Sequence, residues 1–101
     1  MLPIRRVEWQ SELLNTTGLI HQVTEDDDLM STTRSVAIRF AEGPTRAFAL
    51  LKRALRESGS SPLSEALQLE RSLQREAGLT RDFAEGAAAM REKRKPRFSG
   101  D

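Results

Sequence analysis

The residues of this chain best suited to chemistry form a basic cluster close to its C-terminus. The members of the cluster are Arg91, Lys93, Arg94, Lys95 and Arg97. Such a cluster can contact the phosphates of RNA or DNA through charge. Sites that hold single strands interleave aromatic side chains with their cations, however, and no aromatic residue interrupts this cluster. The pattern is therefore more typical of a solvated helix end than of a nucleic-acid interface.

The other residue types that carry out catalysis or bind metals are scarce or dispersed. The chain has no cysteine, which excludes a disulfide framework and a thiolate zinc site. Its single histidine, His21, cannot form a multi-histidine metal site, and we assign it a structural or surface role. Aspartates and glutamates are plentiful, but they fall on predicted helix faces and caps, where no apolar pocket is evident to raise a pKa. We therefore predict no metal site and no catalytic residue in this chain.

Length and composition indicate one small domain or a piece of one. The chain has 101 residues, of which 38% are hydrophobic and 31% are charged. A domain of this size buries only about 60–70% of the surface of its unfolded chain. A thin core combined with amphipathic helices suggests a surface that a partner covers. No apolar run approaches the roughly 18 residues of a membrane span, and the first residues lack the apolar segment of a signal peptide. We therefore expect a cytoplasmic protein without a membrane partner.

The basic cluster ends the most strongly patterned stretch, Thr80 to Phe98, which we predict to be one amphipathic helix. Thr80 is the expected N-cap, and the acidic residues that follow it suit the positive end of the helix dipole. Apolar side chains recur at helical spacing and form a stripe of Phe83, Ala87 and Met90. Pro96 cannot continue the hydrogen-bond ladder and disfavours helical dihedrals at the residue before it, so the helix should stop there.

Upstream of that stretch, apolar periodicity predicts a short helix and three substantial ones. The short helix covers Glu8 to Asn15, is anchored by Trp9 and ends towards Gly18, a residue typical of helix C-termini. Leu19 to Thr24 alternates enough for a short extended segment, whose strand partner would lie in another chain or in a missing part of the parent protein. The first substantial helix is expected to begin at Thr24, which would form a capping box with Asp27, and to stop at Gly43. The other two are expected from Pro44 to Ser58 and from Pro62 to Glu76.

The same periodicity predicts which positions these helices bury. Those of the third helix are Ala47, Phe48, Leu51, Ala54 and Leu55, and those of the fourth are Leu63, Ala66, Leu67, Glu70 and Leu73. The predicted fold class is all-α, with four substantial helices plus one short N-terminal helix and at most one short strand. We expect residues 1–101 to form a single helical domain.

Several segments also carry a family resemblance. In chain order they are GLIHQV (Gly18 to Val23), EDDDL (Glu25 to Leu29), AEGPTRAFALLKRAL (Ala41 to Leu55), LQLERSLQREAGLTRDFAEG (Leu67 to Gly86) and the terminal DFAEGAAAMREKRKPRFSG. They resemble the C-terminal region of the enoyl-CoA hydratase/isomerase (crotonase) superfamily, and the Leu67 to Gly86 segment is similar to phenylacetate-pathway isomerases in particular. The terminal segment is the most specific, because that family commonly ends in an EG step, an Ala-Phe pair and EKRKP. The match extends over nearly the whole chain but corresponds only to the last third or so of a typical member.

The resemblance implies a role for two residues of the terminal segment. In the family, a lysine at the place of Lys93, and the aromatic residue three positions before it, help to cover bound coenzyme A, usually that of a neighbouring subunit. An ammonium group suits the phosphates of CoA as a flexible point charge. Met90 stands where Phe is common, so packing in a core or an interface is its alternative role. Phe83 and Phe98 are expected to pack rather than to contact a ligand.

The resemblance leaves open whether this chain alone is an enzyme. In the family, the oxyanion hole and the acidic catalytic residues lie upstream of the matched region, so the chain is implied to be catalytically incomplete. Its parent would act on a coenzyme A thioester in fatty acid or phenylacetate metabolism, without a separate cofactor, and would form a homo-oligomer. The chain would then be a fragment or a shortened gene product. The alternative is a small helical interaction module that binds a protein or a nucleic acid through its basic C-terminus, which leaves the ordered match unexplained.

Overall fold

The computed structural model describes residues 10–101 and contains only helices and connections over that range. The helices are α1 (Ser11–Thr16), a 3-10 turn (Asp26–Asp28), α2 (Leu29–Ala41), α3 (Thr45–Ser58), α4 (Leu63–Gly78) and α5 (Arg81–Glu92). This confirms the all-α fold class, with one short helix and four substantial ones. Trp9 and the start of the predicted first helix lie outside the described residues. Within residues 10–101, no helix is long and apolar enough to cross a membrane.

The chain falls into two compact units, one ending at Arg34 and the other running Ser35–Asp101. In the first unit, Gly18 ends α1 as the sequence predicts. Its φ is 81°, its N–H donates to the Asn15 carbonyl at 3.1 Å, and the Leu19 N–H donates to the Leu14 carbonyl at 2.9 Å. This pair of bonds satisfies carbonyls at the end of the helix and requires a left-handed residue, which glycine supplies at little cost.

Residues 19–24 form bends and irregular chain, which agrees with the prediction of at most one short strand, because no neighbouring strand is available in the described chain to complete a ladder. One prediction for this segment is wrong. Thr24 does not cap a helix; the chain instead enters a 3-10 turn after Glu25, whose carbonyl accepts the Asp28 N–H at 3.1 Å. The helix α2 then begins at Leu29.

In the second unit, α3 packs on α4 and α4 packs on α5. The buried apolar residues are Leu50 on α3, Leu73 on α4 and Ala89 on α5. The predicted burial is therefore wrong at two positions of α3, where Leu51 and Leu55 are 58% and 68% exposed. The reason is that α3 carries more apolar side chains than one neighbouring helix can cover, and the face centred on Leu50 is the one that meets α4. The predicted burial is also wrong at three positions of α4, because Leu63, Leu67 and Glu70 are exposed.

A close approach shapes the turn from α2 to α3. The rings of Phe40 and Phe48 meet edge to face, with centroids 5.6 Å apart. Gly43 lies between them in the chain, and a Cβ built on it would stand only 2.6 Å from the Phe48 ring. Glycine is needed here for space rather than for an unusual φ.

Pro44 and Pro62 precede the first helical residues of α3 and α4 instead of occupying them, a shift of one position from the prediction.

Candidate functional site

The candidate site is formed by α5 and by the residues that follow it. Thr80 caps α5 as predicted: its hydroxyl accepts the Phe83 N–H at 3.1 Å and donates to the Ala77 carbonyl at 2.7 Å. The end of the helix departs from the prediction, because α5 stops at Glu92 rather than continuing to Pro96. Much of the basic cluster therefore lies beyond the helix.

Lys93 ends α5 in a left-handed conformation, with φ 52° and ψ 42°. Its N–H donates to the Met90 carbonyl at 3.3 Å, and the Arg94 N–H donates to the Ala89 carbonyl at 3.0 Å. This is the same hydrogen-bond pattern that Gly18 makes at the end of α1. Lys93 is the only non-glycine residue with a positive φ among residues 10–101, and it is also the residue singled out by the family resemblance.

The chain after Lys93 runs back along α5 and is held there by Asp82. We call residues 94–101 the C-terminal segment. The Asp82 side chain is 3% exposed, and its two carboxylate oxygens accept the Ser99 N–H at 2.7 Å and the Gly100 N–H at 2.9 Å. The Asp82 N–H donates in turn to the main-chain oxygen of Asp101 at 2.9 Å. A buried carboxylate is costly unless it is hydrogen-bonded, so this docking satisfies both partners.

Glu85, one turn further along α5, holds the beginning of the C-terminal segment. Its carboxylate accepts Nη1 and Nη2 of Arg94 at 2.6 and 3.1 Å and the Arg97 N–H at 2.8 Å. The Arg94 side chain, and then the Arg97 N–H, lower the pKa of Glu85 to about 2. A general acid needs a raised pKa, so this carboxyl group is suited to an ion pair rather than to proton transfer.

Sequence reasoning missed both of these anchors. It assigned Asp82 and Glu85 to the helix dipole, and their partners lie too far along the chain for the usual i, i+4 helix rule to find them. Phe98 does pack, as predicted, since a Cβ on Gly86 would meet its ring at 3.7 Å. The signal available in the sequence was the pair of acidic residues, one turn apart, on the same side of α5 as Ala89.

The predicted stripe of α5 lies on its uncovered side. Phe83 is 60% exposed and Met90 is 82% exposed, and Ala87 between them is exposed as well. Within this chain, Phe83 and Met90 are therefore not core residues. Met90 and the exposed Lys93 remain free to contact another molecule.

An open cleft of about 950 Å³ lies beside the C-terminal segment. It is lined by Glu42, Glu85, Arg94, Lys95, Pro96, Arg97 and Phe98. The cleft carries charges of both signs, and its Arg94 is paired with Glu85 and Glu92. It therefore differs from the apolar pockets in which a catalytic carboxyl group has a raised pKa. Among the described residues, no group of three or more potential ligands could hold a metal ion.

Comparisons with known proteins give a consistent result. Residues 8–101 match the family model for enoyl-CoA hydratase/isomerase. The chain is 37% identical over 90 residues to 1,2-epoxyphenylacetyl-CoA isomerase of Escherichia coli (strain K12), which covers 89% of this chain and 34% of that protein. It is 43% identical over 83 residues to a Rhodobacter capsulatus protein named as a probable enoyl-CoA hydratase, covering 82% of this chain and 32% of the relative.

Solved structures agree. The fold is similar to that of enoyl-CoA hydratase subunit I from Geobacillus kaustophilus, with a TM-score of 0.80 and 36% identity, covering 90% of this chain and 35% of that one. The chain thus spans about a third of the length of the relatives that it matches.

Proposed function

Because this chain belongs to the enoyl-CoA hydratase/isomerase family, we propose that it covers part of an acyl-CoA site and contributes contacts between subunits. Its helices are those of the helical C-terminal part of the crotonase fold. The observation that carries the proposal is the end of α5, where Met90 and Lys93 are both exposed. An apolar side chain followed by an ammonium group suits the adenine and the phosphates of coenzyme A.

The proposal assigns catalysis to other parts of the parent protein. Stabilising an enolate requires hydrogen-bond donors held at the place where the charge develops. The cleft beside the C-terminal segment offers an ion pair and exposed cations instead, and the pKa of its Glu85 carboxyl group is lowered. The acyl-CoA, named in one relative as 1,2-epoxyphenylacetyl-CoA, would therefore be the substrate of the longer protein, and this chain would contact its coenzyme portion.

The 101-residue chain can be tested directly for coenzyme A binding by following backbone amide shifts in an NMR titration. We expect weak binding that shifts the signals of Met90 and Lys93, and a loss of affinity of about threefold or more in Lys93→Ala. Lys52→Ala removes another exposed lysine, on α3, and serves as the matched control. Unchanged affinity in Lys93→Ala would remove this residue from the proposed site.

The catalytic part of the proposal has a separate test. The purified chain should not turn over crotonyl-CoA beyond the level of contaminating enzymes, measured by the loss of the enoyl absorbance. Turnover that scales with the concentration of the chain and survives repurification would contradict the proposal.

A nucleic-acid role for the basic cluster is less well supported. The cation in its centre, Arg94, is already paired with Glu85 at 2.6 Å and with Glu92 at 2.6 Å. Fewer cations are then left to release counterions from a phosphate backbone. A salt-sensitive shift of a DNA or RNA probe by this chain, with no response to coenzyme A, would reverse this preference.

A further inference from the structure

Lys93 lies at the junction between two structures that hold it from either side. Before it, α5 ends with the paired bonds from Lys93 and Arg94 to the last carbonyls of the helix. After it, the C-terminal segment is docked on α5 through Asp82 and Glu85. The backbone of Lys93 has to turn sharply between them, which places it in the left-handed region.

That conformation is not one that lysine prefers. A side chain with a Cβ is disfavoured at positive φ, and such a residue persists only where its surroundings over-determine it. Here the surroundings are specific. Arg94, the next residue, bonds to Glu85 through two nitrogens and to Glu92 through Nε at 2.6 Å. A two-nitrogen guanidinium–carboxylate pair fixes direction as well as distance.

From this arrangement we propose that Glu85, acting through Arg94 and the C-terminal segment, is a positioning residue for Lys93. It holds the lysine backbone in the one conformation that presents the ammonium group to the phosphates of coenzyme A. The inference rests on the proposed function of Lys93 and adds how the backbone of this lysine is ordered before coenzyme A binds. A contact group whose backbone is already ordered loses less conformational freedom on binding.

The test is a double-mutant cycle on coenzyme A affinity in the full 101-residue chain. The variants are Glu85→Gln, Lys93→Ala and the two combined. We expect Glu85→Gln to weaken binding about threefold, although Glu85 itself contacts no ligand. When Lys93→Ala is already present, Glu85→Gln should not weaken binding further, because Glu85 is proposed to act on affinity only through Lys93. The matched control is Glu57→Gln, which breaks the exposed Arg53–Glu57 pair of 2.9 Å on α3 and should leave affinity unchanged.

A second measurement separates positioning from a general effect on folding. In the wild-type chain, the intraresidue NOE between the amide and α protons of Lys93 should be strong, because these protons lie closer together at positive φ than at negative φ, and the Arg97 amide should exchange slowly. Glu85→Gln should weaken this NOE and speed that exchange, while the helix content by circular dichroism stays as in the wild type. The Ser99 and Gly100 amides, held by Asp82, should change less.

Two results would overturn the inference. One is an equal loss of affinity from Glu85→Gln with and without Lys93, which would mean that Glu85 acts on something else. The other is a Lys93 amide–α NOE and an Arg97 exchange rate that Glu85→Gln leaves unchanged. If the wild-type chain fails to bind coenzyme A at all, the proposed function of Lys93 fails, and the NOE measurement still decides whether Glu85 orders this lysine.

Discussion

At the scale of single residues, the same backbone turn is made by two very different side chains. Gly18 and Lys93 both end a helix in the left-handed region, with φ of 81° and 52°. The sequence predicted the first, because glycine is the usual residue at that position. It could not predict the second, because lysine has no preference for that conformation. What holds Lys93 there is tertiary, through carboxylates on α5 and the residues after it.

Replacing Lys93 by glycine should stabilise the fold while removing the proposed ligand contact. Glycine adopts positive φ without the steric cost that a Cβ imposes, a difference of roughly 1 kcal/mol. For a chain of this length that corresponds to a rise in melting temperature of about 4–8 °C. Lys95→Gly is the control, since Lys95 has no positive φ and the change only adds freedom to the unfolded chain. A lower melting temperature for Lys93→Gly would show that its backbone is not strained.

Acid should release the start of the C-terminal segment from α5. The hydrogen bond from Arg94, followed by that from Arg97, lowers the pKa of Glu85 from 4.5 to about 2. A carboxyl group with a lower pKa in the folded state stabilises it fully above pH 4.5, and this contribution is lost as the pH falls towards 2. The protection of the Arg97 amide against exchange, measured by NMR relative to the intrinsic exchange rate at each pH, should therefore fall across that interval. The Glu85→Gln chain should show no such step; a step of the same size there would assign it to another group.

At the scale of helices, periodicity predicted which segments are helical but not which faces are buried. Each helix carries a wider apolar arc than its neighbours cover, so Leu51 and Leu55 on α3 were predicted to be buried and are exposed. The end of α5 was misplaced for a related reason. Pro96 marks where a helix can no longer continue, whereas the hydrogen bonds at Lys93 end it earlier. Sequence patterns describe what one helix could bury, and the identity of its neighbours decides what it does bury.

The turn from α2 to α3 gives a test of close packing. In Gly43→Ala, the new methyl group would stand 2.6 and 2.7 Å from two Phe48 ring carbons and 3.3 Å from the Phe40 carbonyl oxygen. The ring has to move and give up its edge-to-face contact, so we expect destabilisation of about 1–2 kcal/mol by thermal unfolding. The matched change is Gly78→Ala on α4, where a Cβ meets nothing within 4 Å. It should be neutral or stabilising by up to about 1 kcal/mol. Equal effects at the two glycines would exclude steric contact as the cause.

At the scale of the whole molecule, the chain covers little of its own apolar surface. In the unit Ser35–Asp101, the buried apolar residues are few, and every helix there exposes at least one large apolar side chain. Isolated exposed leucines are ordinary, but leucines on successive turns of one helix form a continuous strip. Leu51 and Leu55 on α3 form such a strip, and Leu63 and Leu67 on α4 form another. Because the relatives are about three times as long as this chain, we infer that further parts of such a protein, or other subunits, cover these strips.

The strips predict that the chain alone self-associates, since exposed apolar surface of this kind is buried when copies meet. Sedimentation velocity over a range of concentrations should show a weight-average mass that rises above the 11.3 kDa of one chain. The double change Leu51→Gln and Leu55→Gln should shift the equilibrium towards the monomer, because it removes the strip on α3 without touching the buried Leu50. Lys52→Gln, on the same helix, alters charge but not apolar area and should leave the association as it is. If the wild-type chain stays monomeric at every concentration, these strips do not drive association, and the contribution to subunit contacts loses its support in this chain.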